Sequence, residues 1–305
     1  MKTLRQEERV HPMEKISFAL VLTMCSLLLV SCARTPGLAY SVSGRITDNK
    51  GRPIANVTLT TDTSPAHVAV TDHLGRWAIT DLQDVVSITP TKPGRRFIPA
   101  HRLVIGPNSH VDWTQSMTVI SGEPVATLEQ ARAWLAKRAP HREVLADLYY
   151  TTAPDYGIRP DVALAQAVKE TGAFRFDGIV QAWQNNFCGL GATGTPSDGL
   201  TPLNGADPTR VRFEKGVCGA IFSDEATGVE AHIQHLFAYA STSALPPGKT
   251  LLSPRFVYVK RGSALFVEHL GARENPTGVG WAYPGYTYGA TLVWDYVEEL
   301  INFIY

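Results

Sequence analysis

Pro160-Asp161-Val162-Ala163-Leu164-Ala165-Gln166-Ala167-Val168-Lys169-Glu170-Thr171-Gly172 reads as an apolar helix that delivers one carboxyl group at its C-terminal end. Proline suits its first turn, where the missing N–H has no intrahelical partner to lose. A short polar stretch leads to Asn185-Asn186-Phe187-Cys188-Gly189-Leu190-Gly191-Ala192-Thr193-Gly194, a glycine-rich loop suited to lining a groove. A carboxyl held in a partly desolvated cleft stays protonated near neutral pH and can act as a general acid. The plainer reading of Glu170 is a surface glutamate at a helix end.

The rest of the C-terminal half is helical in pattern. Thr127-Leu128-Glu129-Gln130 has the form of a capping box, followed by Ala131, Trp134 and Leu135 at helical spacing. Residues 142–152 continue in that style. Gly228 to Ala240 reads as an amphipathic helix carrying Val229, Ile233, Leu236 and Phe237, and a long helix is expected over Gly289 to Ile304.

Upstream the period changes. From Tyr40 to Thr114 about seven short alternating runs, among them 41–46, 57–61, 68–71 and 76–79, are separated by turn formers such as Thr47-Asp48-Asn49-Lys50-Gly51-Arg52-Pro53. Short strands with turns at this spacing predict a β-sandwich. The chain thus reads as multidomain, an N-terminal Ig-like β-sandwich over 40–115, a linker over 116–125 and a mainly α domain over 126–305. A length of 305 residues accommodates about two domains with their own cores.

Charged residues make up 18% and hydrophobic ones 44%, a globular composition. Basic and acidic residues balance at 28 each, which argues against nucleic acid as a partner and leaves neutral sugars open. Lys2, Arg5, Arg9 and Lys15 precede an apolar run from Ile16 to Val30. That run, about 15 residues or roughly 22 Å as a helix, is short against a hydrocarbon core of about 30 Å. It suits the h-region of a signal peptide over 1–31. Initiation at Met13 gives a more typical signal length than initiation at Met1.

The run closes on Leu29-Val30-Ser31-Cys32, which resembles the bacterial lipobox. The resemblance implies that Cys32 becomes the lipidated first residue, with 32–39 as a tether. Two or more acyl chains anchor stably where one does not, since each buried CH₂ contributes about 0.8 kcal/mol. The protein is then expected to be lipid-anchored in the cell envelope outside the cytoplasm. Ala33, where an aspartate would signal inner-membrane retention, favours the outer membrane facing the periplasm. Export leaves Cys188 and Cys218 as an even pair in an oxidising compartment, which suggests a disulfide worth about 2–4 kcal/mol over a loop of about 30 residues. The alternative is two free buried thiols.

Gly44-Arg45-Ile46-Thr47-Asp48, Gly51-Arg52-Pro53-Ile54, Thr71-Asp72, Gly75-Arg76-Trp77 and Lys92-Pro93-Gly94 resemble the carboxypeptidase regulatory-like domain, a small Ig-like sandwich that serves as spacer or adhesive module. The C-terminal half resembles the bacterial glucosaminidase domain of glycoside hydrolase family 73. The residues that carry the likeness are Ala165–Gly172, Asn185-Asn186-Phe187, Gly189-Leu190-Gly191, Gly228–Leu236 with Ala238-Tyr239, and Tyr286-Thr287-Tyr288-Gly289. The resemblance implies a lysozyme-like fold and cleavage between N-acetylglucosamine and N-acetylmuramic acid in peptidoglycan. It places the catalytic glutamate on Glu170 and an active-site tyrosine on Tyr288, with no metal and no cofactor.

A second catalytic group is less defined. Asp198, Asp207, Glu214, Asp224 and Glu225 are candidates, Glu214 being the best placed for a mobile lobe, unless the substrate's own acetamido group assists. Asn186, Phe187 and Gly189 are expected to wall the sugar groove, Asn186 offering donor and acceptor to an acetamido group. Trp281, Tyr283, Tyr286 and Tyr288 form an aromatic cluster fit either to stack sugars or to fill a core. His232 and His235, three apart, read as structural or hydrogen-bonding residues, since a metal needs further ligands. Peptidoglycan strands and, through the lipid, a membrane are the expected partners of a monomer. A lytic transglycosylase and a non-catalytic wall-binding lipoprotein are the competing readings.

Overall fold

A computed structural model describes residues 38–305. The signal segment 1–31 and the lipidation candidate Cys32 lie outside the described residues. Among the described residues no helix is long and apolar enough to cross a membrane.

Antiparallel strands occupy the first third. β1 (Tyr40–Arg45) pairs with β4 (Arg76–Leu82). β2 (Thr58–Thr61) lies between β3 (Val68–Val70) and β5 (Val86–Thr91), and β7 (Arg102–Val104) follows on the far side of β5. β6 (Arg95–Ile98) pairs with β8 (Gln115–Thr118). Alternation sets the faces: Trp77 and Ile79 of β4 point inward while Arg76, Ala78 and Thr80 point out. The period slips once, at Asp81, whose φ of 59° forms a bulge that returns Leu82 to the interior. One core results, containing Val42, Leu59, Trp77, Ile79, Val86, Ile88 and Trp113.

Two turns in this part share one construction. Asp48 Oδ1 accepts from the N–H groups of Lys50 and Arg52, both at 2.8 Å, and Asp72 Oδ1 does the same for Leu74 and Arg76 at 2.8 Å. Each arginine returns its Nε to the aspartate that holds it, at 3.0 and 3.2 Å. The repeated Asp-x-x-Gly-Arg spelling of the two loops is therefore an aspartate-centred turn.

Helices dominate the remainder. α1 (Leu128–Arg138) begins in the expected capping box between Thr127 and Gln130. α2 (Val144–Thr152), α3 (Pro160–Glu170) and α4 (Glu225–Ala240) pack around Trp134, Leu135, Tyr149, Leu164, Val168, Val229 and Ile233. α4 starts three residues before the apolar periodicity does, because Asp224 caps it by accepting from the Thr227 N–H at 2.7 Å. The expected C-terminal helix divides into α5 (Tyr288–Leu292), a π-helical turn (Val293–Val297) and α6 (Glu298–Ile301). A small hairpin of β9 (Val211–Arg212) and β10 (Ile221–Phe222) precedes α4.

The segment expected to be a linker is built into the structure instead. Ser116, Thr118 and Ile120 are buried. Arg159 and Asp161 form a buried ion pair at 2.8 Å. Arg159 also donates to the carbonyls of Gly94 and Val119, and Asp161 accepts from the N–H groups of Val125 and Ala126. Arg95 reaches Glu298 at 2.5 Å, Trp294 donates to Asp48 at 2.9 Å, and Glu268 accepts from the backbone and hydroxyl of Thr118. Polar side chains that would be costly to bury unpaired join the β part to the helical part.

Candidate active site

α3 is threaded through the core. Residues from Pro160 to Val168 are all buried, and only Lys169 and Glu170 emerge, at the end of the helix. The chain then turns sharply. Gly172, Ala173, Phe174 and Phe176 all have φ between 54° and 60°, three of them non-glycine residues in the left-handed region. Such residues cost on the order of 1–3 kcal/mol each and persist where surroundings hold them. Here Thr171 Oγ1 donates to the Ala167 carbonyl at 2.7 Å and accepts from the Phe174 N–H at 2.9 Å. Phe174 and Phe176 then close on Phe187, with ring centroids 5.8 and 6.2 Å apart. The strained turn keeps Glu170 at the floor of a cleft of ≈ 600 Å³.

A chain of hydrogen bonds runs from that carboxyl into the core. The Tyr288 hydroxyl donates to Glu170 Oε1, and Gln166 Nε2 donates to the Tyr288 oxygen at 3.0 Å. Gln166 Oε1 faces His232 Nε2 at 3.1 Å, and His232 Nδ1 faces the Tyr149 hydroxyl at 2.7 Å. With the Gln166 amide so oriented, its oxygen requires the His232 proton on Nε2, so Nδ1 accepts from Tyr149. Every donor in the chain then points toward Glu170. Burial, helped by His235, pushes His232 down to about 3, so the ring stays neutral and serves as a fixed link.

Glu170 itself is raised above the ordinary carboxyl range. Desolvation is the main cause; the Tyr288 hydrogen bond, the Lys169 ammonium and the Trp281 indole pull the other way and are outweighed. A helix C-terminus is also the unfavourable end of the dipole for an anion. The Tyr288 phenol is driven well above its usual range by burial and by the neighbouring carboxyl, so it remains a donor. Glu274 holds Tyr288 in place by accepting from the N–H groups of Gly289 and Ala290 at 2.6 and 3.1 Å, at the start of α5.

Of the expected wall residues, Gly189, Trp281 and Tyr288 line the cleft with Glu170. Trp281 stands as a ridge, its indole edge-packed on His235 at 4.8 Å and on His232 at 5.6 Å. It therefore joins a core cluster on one side and faces the cleft on the other. Tyr283 and Tyr286 are exposed and lie outside the cleft lining.

Two wall residues take different roles. Asn186 lies against the cleft, but its carboxamide is consumed internally: Nδ2 donates to the carbonyls of Leu190 and Ala220, and Oδ1 accepts from the Leu190 N–H. Both amide protons are thus taken and the side chain is buried, so it shapes the loop. Phe187 is buried between Phe174 and Phe176 and forms core beneath the cleft. Its neighbourhood is tight. A Cβ on Gly228 of α4 would meet the Asn185 carbonyl oxygen at 1.8 Å, so only glycine lets α4 pack under this loop.

The expected Cys188–Cys218 disulfide is not formed; both are free thiols. Cys188 is buried, with desolvation and the Glu170 charge raising its thiol well above the usual range, whereas Cys218 is half-exposed. Hydrogen bonds brace the loop in place of the bridge. Ala220 N–H donates to Leu190 at 2.8 Å, and Gln184 Nε2 donates to the Cys218 carbonyl at 2.9 Å.

Glu214 sits on the exposed hairpin, 3.7 Å from Arg212, and is not part of the cleft lining. The other acidic candidates hold local structure: Asp207 and Asp198 accept from nearby backbone N–H groups, Asp224 caps α4, and Glu225 pairs with Arg142 at 2.9 Å. The carboxylate that does share the cleft with Glu170 is Asp177, exposed and 2.9 Å from Arg175. Its signal in the sequence was proximity alone, seven residues past Glu170. Gln166 had a better one, since a residue four before Glu170 lies on the same helix face.

No protein-family model matches the chain. A protein of Borreliella burgdorferi described as uncharacterized is 41% identical over 108 residues, which cover 35% of this chain and 42% of that protein. The chain therefore spans less than half the length of that relative. Among solved structures, the Bacillus anthracis TIE protein overlaps 28% of this chain and 19% of its own, with 11% identity and a TM-score of 0.23.

Proposed function

We propose that the protein is a peptidoglycan hydrolase, an endo-β-N-acetylglucosaminidase that cleaves the bond from N-acetylglucosamine to N-acetylmuramic acid with Glu170 as general acid. One observation carries the reading: a carboxyl at the floor of an open cleft, raised by desolvation and fixed by a tyrosine at the end of a buried hydrogen-bond chain. The likeness of the motifs around Glu170, Gly189 and Tyr288 to the glucosaminidase domain supports the same reading. In that scheme the β part is an Ig-like spacer, the helical part is lysozyme-like, and lipid on Cys32 tethers the enzyme within reach of the wall.

The chemistry follows from the site. In this reading protonated Glu170 gives its proton to the glycosidic oxygen as the C–O bond breaks, and an oxocarbenium-like centre develops on the sugar. Tyr288, donating to Oε1, stabilises the carboxylate once the proton has gone. Asp177 is the cleft carboxylate available to steer water to the opposite face. A Glu170→Gln variant with undiminished release of reducing ends from purified cell wall would sink the proposal.

A second reading, lytic transglycosylase, draws support from the same cleft: Asp177 is exposed and ion-paired, so Glu170 is the sole desolvated acid in the described lining. Product ends separate the two, anhydro-muramyl for the transglycosylase and reducing N-acetylglucosamine for the hydrolase.

A further inference from the structure

The cleft does not end at Trp281. Cys188, Gly189, Ala192 and Trp281 are shared with a second hollow of ≈ 240 Å³, which in turn shares Gly191, Thr193, Arg255 and Tyr258 with a third of ≈ 470 Å³. Together they make a groove that passes from Glu170 over the indole and onward along the glycine-rich loop. Chemically its parts differ, and the far hollow carries a carboxylate of its own, Asp198. The Glu170 end holds the acid, whereas the middle hollow has no carboxylate among its lining residues.

Arg255 is the charged group of that middle hollow. Its guanidinium carbon lies over the Tyr258 ring, 4.4 Å from the centroid, and the group forms no ion pair and no side-chain hydrogen bond among the described residues. A guanidinium held over a ring and otherwise unpaired keeps its donors for a planar anion, which it can take bidentately. Its field reaches the buried His235, which desolvation and then Arg255 hold down to about 3. His235 Nδ1 faces Ser253 Oγ at 3.3 Å, and its neutral ring forms the back wall of the hollow.

We propose that this hollow is an anion subsite that takes a carboxylate carried by the polymer lying in the groove, with Arg255 as its ligand. The proposal rests on the glycan-hydrolase reading for the polymer's identity. The carboxylate has two possible sources with one chemistry, the lactyl group of a muramic acid unit or the stem peptide attached to it. A neutral N-acetylglucosamine oligomer has neither and fills the groove without using Arg255.

Binding to the Glu170→Gln protein tests this without turnover. The probes are peptide-free glycan strands with free lactyl carboxylates, the same strands amidated to neutrality, and strands that retain stem peptides. The free-acid strands are expected to bind about tenfold more tightly than the amidated ones at low salt, a preference that fades as salt screens the charge. Arg255→Gln in that background is expected to bring the ratio to about one, and Arg255→Lys to leave it intermediate. Arg255 lies over an exposed tyrosine, so both variants leave the core intact. If only peptide-bearing strands show the Arg255-dependent preference, the carboxylate is the peptide's, and the subsite stands. A ratio near one with no Arg255-dependent preference for peptide-bearing strands either, or a preference untouched by Arg255→Gln, overturns the subsite. Cleavage by the unmodified enzyme is scored separately: strands cut but bound without regard to Arg255 sink the subsite alone, and strands held through Arg255 but never cut sink the hydrolase alone.

Discussion

Tyr288 donates its hydroxyl to Oε1 of Glu170 while its own oxygen accepts from Gln166 Nε2 at 3.0 Å. The carboxyl is thus oriented by a group that is itself held from the core, which is how a partly exposed acid keeps a single geometry. Removing the hydroxyl has a signed consequence. The hydrogen bond favours the charged carboxyl, so Tyr288→Phe raises the pKa of Glu170 further. The alkaline limb of the kcat/KM profile then moves to higher pH, while the maximum falls by on the order of tenfold to a hundredfold through lost positioning. A pH–rate profile of both proteins on one glycan checks this; an alkaline limb that moves to lower pH contradicts it.

Asp177 and Glu214 divide on position. Asp177 shares the cleft with Glu170, and Glu214 pairs with Arg212 on an exposed hairpin. Asp177→Asn is expected to lower kcat about a hundredfold, and Glu214→Gln to stay within about twofold. Equal losses in the two would remove the basis for preferring Asp177.

Asp161 is the buried partner of Arg159 and the acceptor for Val125 and Ala126. Asp161→Ala leaves that guanidinium without its counter-charge in the interior, which costs about 3–5 kcal/mol. Chemical denaturation at pH 7 measures it. A loss under about 1 kcal/mol would show that the joint between strands and helices does not depend on this pair.

Glu268 gives stability a pH dependence. Burial raises its carboxyl to about 7, against the opposing pull of Arg95 and of the Thr118 hydrogen bonds. A folded pKa above the unfolded one means the contribution is full below the unfolded value near 4.5 and is lost as pH rises through about 7. The melting temperature is therefore expected to fall between about pH 5 and pH 8, and Glu268→Gln to flatten that slope. A slope unchanged in the variant would assign it to other groups.

What was legible in the sequence was periodic or local. Trp77 and Ile79 alternate, Thr127 and Gln130 spell a cap, Pro160 opens α3, and Glu170 ends it. These depend on neighbours in the chain. The errors concern partners far apart. Asn186 reads as a sugar ligand because its own stretch of chain does not say that Ala220, 34 residues on, takes one of its amide protons. Cys188 and Cys218 read as a bridge by parity, which carries no geometry, and both are free thiols. The connection over 116–125 lacked pattern because its order comes from Glu268 and Asp161, which are distant or follow later in the chain. His232 was expected to bond rather than bind metal, yet its link through Gln166 to Glu170 emerges only when α3 and α4 are packed together.

Mass spectrometry of the soluble fragments from purified peptidoglycan, digested in parallel by the unmodified protein and by Glu170→Gln, tests the central claim most directly. The hydrolase assignment predicts fragments ending in reducing N-acetylglucosamine with the first protein and none with the second, both folding alike. Fragments from both proteins, or anhydro-muramyl ends from the first, would contradict it.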